Sequence, residues 1–260
     1  MIRLVLCLIA FMVTAGSLTA QNAQVQILPG WRTDSGAHMA GLDIRLAPGW
    51  KTYWRRPGEA GIPPSFNWSG SDNVADVTVR WPVPKVFWQS GMRSVGYDGG
   101  VVLPLEVTPR RPGQPMTLRL SLEMGVCRDV CIPVQSATAV VLPTQATSPD
   151  PRIRAALSNR PFTRSEAAVA EASCAIRLAP DGAVLTATLR MPPLGTSEEI
   201  VFEPSDPRLW VSEPVTRRRG DTLVSTARIQ PPRGQPLTLD KKGMRITVIG
   251  KRGAAEIAGC

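Results

Sequence analysis

Two cysteines separated by three residues are the part of this sequence best suited to chemistry. Cys127 and Cys131 lie in the segment MGVCRDVCIPV, residues 124–134. Such a pair can form a structural disulfide, bind a soft metal ion, or exchange electrons as a dithiol and a disulfide. The spacing alone does not choose among these three interpretations, so the compartment and the local backbone have to be considered first.

The start of the chain predicts export. Arg3 precedes an apolar run over residues 4–13, and small and polar residues follow up to Ala20. This order is typical of a secretory signal peptide, and the run is much shorter than the roughly 20 residues of a membrane helix. We expect residues 1–20 to be cleaved, with an uncleaved anchor as the alternative. Export would place the mature chain, without stable membrane insertion, in an oxidising compartment.

Loss of the signal peptide would remove Cys7 and leave four of the five cysteines. The natural pairing joins Cys127 to Cys131 and Cys174 to Cys260. In the chain-entropy model the long loop between Cys174 and Cys260 corresponds to about 4.6 kcal/mol of stabilisation, and the short loop to about 2 kcal/mol. We therefore predict that Cys174 and Cys260 form a structural disulfide.

The near pair requires a turn in the backbone. Four steps along an extended strand cover roughly 13 Å, and a disulfide needs Cα atoms about 4.4–6.8 Å apart. The chain must therefore turn at RDV, where Asp129 is a suitable turn residue. The flanking runs MTLRLSLEM and SATAVVLP have β character. We expect Cys127 and Cys131 at or near a hairpin tip, and on these grounds the redox and structural interpretations both stay open.

Few residues are available for other chemistry. The single histidine, His38, is expected in a turn or on the surface, so a zinc site lacks ligands. A Cu(I) site built from Cys127, Cys131 and Met124 is conceivable because soft sulfur ligands suit Cu(I), although Met124 fits better as a core-facing strand residue. The chain has no GxSxG nucleophile elbow, P-loop or GxGxxG motif. We expect no cofactor and no bound metal.

The charge of the chain does not indicate a nucleic-acid partner. The net charge is +9, from 30 basic and 21 acidic residues, but the basic residues are scattered. An exported chain without a basic stripe interleaved with aromatic residues is not typical of nucleic-acid binding.

Short β-like runs between frequent Pro and Gly residues predict an all-β protein. We expect two antiparallel β-sandwich domains, over residues 21–145 and 165–260. Residues 146–164 between them are expected to form a linker with a short helix. Asp150 and Pro151 suit the N-cap and the first turn of that helix.

Several longer motifs resemble a known family. The segments APGWKTYWRRPGEAGIPPSFNWSGSDNV, WPVPKVF, SVGYDGGVVLPLEV and GVCRDVCIPV occur in this order. Together they resemble the amino-terminal periplasmic domain of the DsbD family, and within it the suppressor-of-copper-sensitivity, or ScsB-like, branch. The resemblance covers about residues 25–142, and several motifs in order are much more specific than the cysteine spacing alone.

The resemblance implies an immunoglobulin-like first sandwich and a redox-active disulfide between Cys127 and Cys131. It implies a thiol–disulfide oxidoreductase of the protein-disulfide reductase type, with Cys131 as the cysteine engaged in mixed disulfides. The implied partners are periplasmic thioredoxin-like proteins and a membrane cysteine electron-transfer protein. Because the sequence ends at Cys260 without those parts, we expect them on separate chains. The alternative is a non-enzymatic Cu(I)-binding or adaptor protein with a structural short disulfide.

The family also implies a cap over the cysteines, made of acidic and aromatic residues on a loop. The corresponding stretch, KVFWQSGMRSVGY, has no acidic residue. Phe87, Trp88 and Tyr97 are the aromatic candidates for this cap. Arg128 is the candidate for modulating the thiols, because a neighbouring cation lowers a thiol pKa.

Overall fold

The structure, a computed structural model, describes residues 22–59, 61–89, 91–145 and 148–260. Residues 1–20, expected to be cleaved, lie outside the described residues. Where the chain is described, it is almost entirely antiparallel β-sheet with one α-helix. The predicted all-β class, with two sandwiches and a connecting helical segment, is confirmed.

Ten strands build the first sandwich. They are β1 (Ala23–Arg32), β2 (His38–Leu46), β3 (Lys51–Tyr53), β4 (Ser65–Asn67), β5 (Val74–Val79), β6 (Lys85–Gln89), β7 (Met92–Asp98), β8 (Gly100–Pro109), β9 (Met116–Cys127) and β10 (Cys131–Leu142). One sheet has the order β1-β2-β8-β5, and the other has the order β10-β9-β3-β7-β6 with β4 also paired to β9. The main core lies between these two sheets, as in an immunoglobulin-like sandwich.

The long β9–β10 hairpin follows from alternation in the sequence. In MTLRLSLEM the apolar residues face the core, and in β10 the residues Ile132, Val134 and Val140 pack against the same core. Alternate residues of a strand point to opposite faces of the sheet, so the residues between them face outward. Cys127 and Cys131 end up on this outward face, at the end of the hairpin.

Eight further strands form the second sandwich. They are β11 (Glu171–Ala179), β12 (Gly182–Arg190), β13 (Glu199–Glu203), β14 (Trp210–Val211), β15 (Val215–Arg219), β16 (Thr222–Gln230), β17 (Arg245–Gly250) and β18 (Gly253–Ala258). One sheet has the order β11-β12-β16-β14, with β15 also on β16, and the other has the order β13-β17-β18. A disulfide joins Cys174 in β11 to Cys260 beyond β18, with Cα atoms 5.3 Å apart.

The helix of the connecting segment, α1 (Pro151–Ser158), is packed against the first sandwich. The Asp150 side chain caps it by accepting a hydrogen bond from the Arg152 backbone N–H at 2.8 Å, as the sequence predicted. Ile153 is fully buried against Leu28 and Met39 on the outer side of the β1–β2 sheet. The connecting segment is thus docked on the first sandwich over the length of this helix.

The two sandwiches contact each other directly. The Arg55 guanidinium donates to the Glu203 carboxylate at 2.7 and 2.8 Å and to Glu256 at 2.5 Å. Ile249 and Ala254 of the second sandwich belong to the main core of the first. Among the described residues no β-ladder joins β1–β10 to β11–β18. The division at residues 21–145 and 165–260 agrees with this separation and stays a prediction.

Candidate functional site

The near cysteine pair closes the β9–β10 hairpin. Cys127 is the last residue of β9 and Cys131 the first of β10, and the two are direct cross-strand partners. Their Sγ atoms form a disulfide with Cα atoms 4.1 Å apart, and Arg128, Asp129 and Val130 make the turn. The hairpin-tip location expected from the strand geometry is therefore the one observed.

The two sulfurs differ in their access to solvent. Cys127 is 2% exposed, whereas Cys131 is an exposed residue. Exchange requires a thiolate to approach one sulfur and displace the other. Cys131 is therefore the residue of the pair that is accessible from solvent, and Cys127 lies on the inner side.

A tyrosine hydroxyl contacts both sulfurs from the inner side. Tyr53, at the end of β3, has its hydroxyl 2.8 Å from Cys127 Sγ, to which it donates, and 3.2 Å from Cys131 Sγ. The side chain is buried, and burial raises the pKa of this phenol. The hydroxyl therefore keeps its proton at neutral pH and remains a donor.

The Tyr53 ring has room because of a glycine on the neighbouring strand. A Cβ atom added to Gly125 would lie 3.1 Å from the Tyr53 ring and 2.8 Å from the Ile62 side chain. Ile62 thus covers this part of β9 from a loop that follows β3. The glycine at residue 125 lets the aromatic ring and the loop lie flat against β9, directly behind the disulfide.

A cleft of about 520 Å³ lies beside the hairpin tip and is lined in part by Phe87 and Arg128. Gln89 Nε2 donates to the Arg128 carbonyl at 2.8 Å, and Lys51 Nζ donates to Gln89 Oε1 at 2.6 Å. The same Lys51 Nζ lies 5.4 Å from the centroid of the Phe87 ring. These contacts tie the β6–β7 hairpin to the cysteine turn, so Phe87 stays a candidate cap residue.

The other two aromatic candidates lie elsewhere. Trp88 follows Phe87 in β6 and therefore points to the opposite face, where it is 56% exposed. Tyr97 is buried in the main core, and its hydroxyl donates to the Pro82 carbonyl at 2.9 Å. The expectation that Tyr97 caps the cysteines is corrected by these contacts, because its ring packs among core residues and its hydroxyl is already bound.

Arg128 is exposed on the turn between the cysteines. Its Nε donates to Asp129 Oδ2 at 2.9 Å, and its guanidinium lies 5.6 Å from the centroid of the Trp50 ring. The carboxylate of Asp129 offsets part of the positive charge beside Cys127. Modulation of the thiols by Arg128 stays a prediction.

The suggested copper ligands do not converge. Met124 is 2% exposed and faces the core, where its sulfur accepts a hydrogen bond from the Thr52 hydroxyl at 3.8 Å. Cys127 and Cys131 lie on the opposite face of the sheet. No group of three or more His, Cys, Asp or Glu side chains suited to a metal ion occurs in the described ranges.

His38 was expected in a turn or on the surface, and that expectation is wrong. The residue is fully buried in β2, and its Nε2 lies 2.5 Å from the Pro29 carbonyl. Burial lowers the pKa of this imidazole, so a neutral ring bound to a backbone carbonyl is tolerated inside the sheet.

Tyr53 is a site residue that is not among the candidate site residues named from the sequence. The motif GWKTYW places it among other aromatic residues, which suggest ordinary packing or, as the sharper alternative, a shield over the disulfide. The sequence did show that Lys51 and Tyr53, two residues apart in a strand, point to the same face of the sheet. Only the pairing of β3 with the end of β9 shows that this face is the one carrying the disulfide.

Fold and site together define a class: β-sandwich proteins with a disulfide at a hairpin tip that exposes one of its two sulfurs. Residues 18–143 match the family model described as thiol:disulfide interchange protein DsbD, N-terminal. The amino-terminal sandwich is therefore similar to the N-terminal domain of the DsbD family, and the resemblance found in the motifs is confirmed.

A solved structure resembles nearly the whole chain. It is the crystal structure of the N-terminal periplasmic domain of ScsB from Proteus mirabilis, with a TM-score of 0.70 and 26% sequence identity. The similarity covers 92% of this chain and 92% of that chain, so it includes the second sandwich. Among curated proteins, none matches the chain.

The one helix in the described part of the chain is too short and too polar to cross a membrane.

Proposed function

We propose that this protein is a periplasmic thiol–disulfide oxidoreductase that relays electrons through Cys127 and Cys131 without a cofactor. The observation that carries the proposal is the asymmetry of the disulfide at the hairpin tip, with Cys131 exposed and Cys127 buried. The match of residues 18–143 to the DsbD family model supports thiol–disulfide exchange as the type of reaction.

The exchange would proceed in two displacements. A thiolate of the partner attacks Cys131 Sγ, the bond between the two cysteines breaks, and Cys127 leaves as a thiolate. A second partner thiolate then attacks the partner sulfur of the mixed disulfide and releases Cys131 as a thiolate. The partner dithiol becomes a disulfide, and this protein gains two electrons and, after protonation, two protons.

Tyr53 would assist the first displacement. Its hydroxyl donates to Cys127 Sγ at 2.8 Å in the oxidised form, so the donor is already aimed at the sulfur on which negative charge develops. A positioned donor in a buried site stabilises developing charge more than water does. The raised pKa of Tyr53 keeps this proton in place at neutral pH.

Exposed apolar side chains around Cys131 suit a protein partner. Val130 in the cysteine turn is 67% exposed, Met92 at the end of the β6–β7 hairpin is 56% exposed, and Ile62 over Gly125 is 45% exposed. Exposed apolar groups clustered around a reactive centre are typical of a protein-interaction surface. We propose thioredoxin-like proteins as partners, supplied by a membrane cysteine electron-transfer protein on a separate chain.

The periplasmic location is supported by two observations. The first 20 residues have the order of a signal peptide. The similar ScsB domain is named as periplasmic in its own title.

Two single-cysteine variants test the proposal. Each is mixed with a thioredoxin-like protein that lacks its resolving cysteine and carries a chromogenic aromatic thiol as a mixed disulfide. The free thiolate attacks, an inter-protein disulfide forms, and the aromatic thiol is released and measured. Cys127→Ser, which keeps the exposed Cys131, should react at least tenfold faster than Cys131→Ser.

The free chromogenic disulfide, without the partner protein, is the control for intrinsic thiol reactivity. Specific exchange is supported if the rate ratio of Cys127→Ser to Cys131→Ser is larger with the partner protein than with the free chromogenic disulfide. Faster adduct formation by Cys131→Ser would reverse the roles of the cysteines, and no adduct with either variant would contradict the proposed exchange.

A further inference from the structure

A second cleft, unrelated to the disulfide, lies where the two sandwiches meet. It has a volume of about 330 Å³ and is lined by the loop after β3, by Arg93 of β7 and by the segment 207–214 that includes β14. Binding sites for small molecules occur preferentially at such domain boundaries. The volume is at the lower end of the range for ligand sites, so a ligand would be about one or two amino-acid residues in size.

Two adjacent arginines at this boundary have very different partners. Arg55 is compensated by two carboxylates, those of Glu203 and Glu256. Arg56, which lines the cleft, has one long hydrogen bond, from Nη1 to the Pro207 carbonyl at 3.4 Å. Its Nη2 is buried and donates to no group in the described part of the chain. A buried guanidinium N–H requires an acceptor, preferably a charged one.

A second guanidinium reaches the same cleft. The Arg93 side chain is 5% exposed, with Nε on the Glu199 carboxylate at 3.1 Å and Nη2 on the Ile200 carbonyl at 3.1 Å. Burial lowers the pKa of both Arg56 and Arg93, although each stays charged at neutral pH. Arg93 donates to its own carboxylate. Arg56 is attracted by the carboxylates of Glu203 and Asp206 but donates to neither of them in the described part of the chain, so it is the cleft guanidinium without a carboxylate hydrogen bond.

The remaining lining residues limit the kind of anion. Glu59 and Glu213 also line the cleft and are exposed, and they repel an anion with two charges about twice as strongly as one with a single charge. One negative charge in a planar group with two oxygens suits the fork of a guanidinium. Trp210, 44% exposed, and the buried Leu209 and Phe202 provide apolar walls. An apolar group on the ligand would bury part of the exposed indole.

We infer that the cleft between the two sandwiches binds a small ligand with one carboxylate, held by Arg56, and an apolar group, held against Trp210. The free carboxyl end of a peptide with an apolar last residue has this chemistry. The inference is independent of the proposed exchange at the disulfide, since no residue of the disulfide site lines the cleft.

The test uses N-acetyl-leucine as the probe and N-acetyl-leucinamide as its match without the charge. Binding to the full chain is followed by the NMR signal of the Trp210 indole N–H, assigned by its loss in Trp210→Phe. The acid should shift this signal in a saturable way with a dissociation constant on the order of 1 mM, as expected for a ligand of this size. The amide should bind at least tenfold more weakly.

Arg56→Gln should weaken binding of the acid at least tenfold. Arg177→Gln, which removes the same charge from an exposed position of β11 outside the cleft, should leave the dissociation constant within about twofold. Inorganic phosphate should not compete.

Three results would overturn the inference. The first is that the acid causes no saturable shift of the Trp210 signal up to about 20 mM. The second is that the acid and the amide bind equally well, and the third is that Arg56→Gln binds the acid as tightly as the unaltered protein does. Binding of the acid by Glu59→Gln but not by the unaltered protein would also overturn it, because Glu59 would then be the partner of Arg56.

Discussion

At the disulfide, one tyrosine hydroxyl lies within hydrogen-bond distance of both sulfurs. Tyr53 donates to the buried Cys127 Sγ and lies 3.2 Å from the exposed Cys131 Sγ. A hydrogen bond to a charged group contributes more than one to a neutral group. The hydroxyl should therefore favour the reduced form with a thiolate at Cys127, and its effect can be measured separately from folding.

Replacing Tyr53 with phenylalanine should raise the pKa of the Cys127 thiol by about 1 unit, because the thiolate loses its donor. The measurement is the pH dependence of alkylation in a Cys131→Ser background, where Cys127 is the one free thiol of the mature chain. Tyr97→Phe is the matched control, since it removes a buried hydroxyl that binds the Pro82 carbonyl in the core. Equal thiol pKa values with and without the Tyr53 hydroxyl would show that it has no electronic role.

At the scale of the strands, β6 separates two aromatic neighbours. Phe87 lies on the face of the cleft beside the cysteine turn, and Trp88 lies on the opposite face. A ring beside the sulfurs can hinder small thiols until a docked partner displaces it. Of the two rings, only that of Phe87 lies on the cleft side and can hinder access to the sulfurs in this way.

Phe87→Ala should therefore speed the reduction of the near disulfide by glutathione several-fold, while Trp88→Ala should change the rate by less than about twofold. Because Phe87 is half-buried, its loss should destabilise the fold by less than the about 3–5 kcal/mol of a fully buried aromatic residue. The rate is followed by alkylation and mass spectrometry. An unchanged rate for Phe87→Ala, with a large loss of stability, would identify the ring as a packing residue only.

Local patterns predicted the all-β class, the long β9–β10 hairpin and the start of the helix. Alternation in MTLRLSLEM, the turn required between Cys127 and Cys131, and the Asp150–Pro151 start of α1 are properties of neighbouring residues. Such properties can be derived without knowing the tertiary contacts.

Contacts between distant segments could not be derived in this way. Tyr53 reaches Cys127 because β3 pairs with the end of β9, across more than seventy residues of sequence. Tyr97 and His38 are core residues for the same reason, since strands far away in sequence cover them. An aromatic residue or a histidine in a strand does not itself indicate which face of the sheet will be buried.

At the scale of the whole molecule, an ionic contact joins the two sandwiches close to the redox site. Arg55 lies two residues after Tyr53, and its guanidinium stacks 4.1 Å from the Trp54 ring centroid while it binds Glu203 and Glu256. Glu203 is 9% exposed and also accepts from the Thr247 hydroxyl at 3.4 Å. Removing one partner from a buried ionic network leaves the others unsatisfied.

Glu203→Gln should lower the free energy of unfolding by about 2–3 kcal/mol, since Arg55 would keep only the more exposed Glu256. The matched control is Glu171→Gln, from the exposed pair of Glu171 with Arg190, and it should cost less than about 1 kcal/mol. Both values come from urea unfolding of the oxidised protein. Equal effects of the two substitutions would mean that the contact between the sandwiches contributes no more than a surface ion pair.

The two disulfides occupy different places in the whole molecule, and their reduction potentials test the central claim most directly. Cys127–Cys131 closes a short turn with one exposed sulfur, whereas Cys174–Cys260 joins two distant ends of the second sandwich. Equilibration of the folded protein in dithiol buffers, followed by alkylation and mass spectrometry, gives both values. We predict a potential above about −300 mV for the near pair, in the range of disulfides that exchange with thioredoxin-like proteins, and a potential below about −300 mV for the far pair. A near pair that resists reduction as strongly as the far pair would contradict a redox function at Cys127 and Cys131.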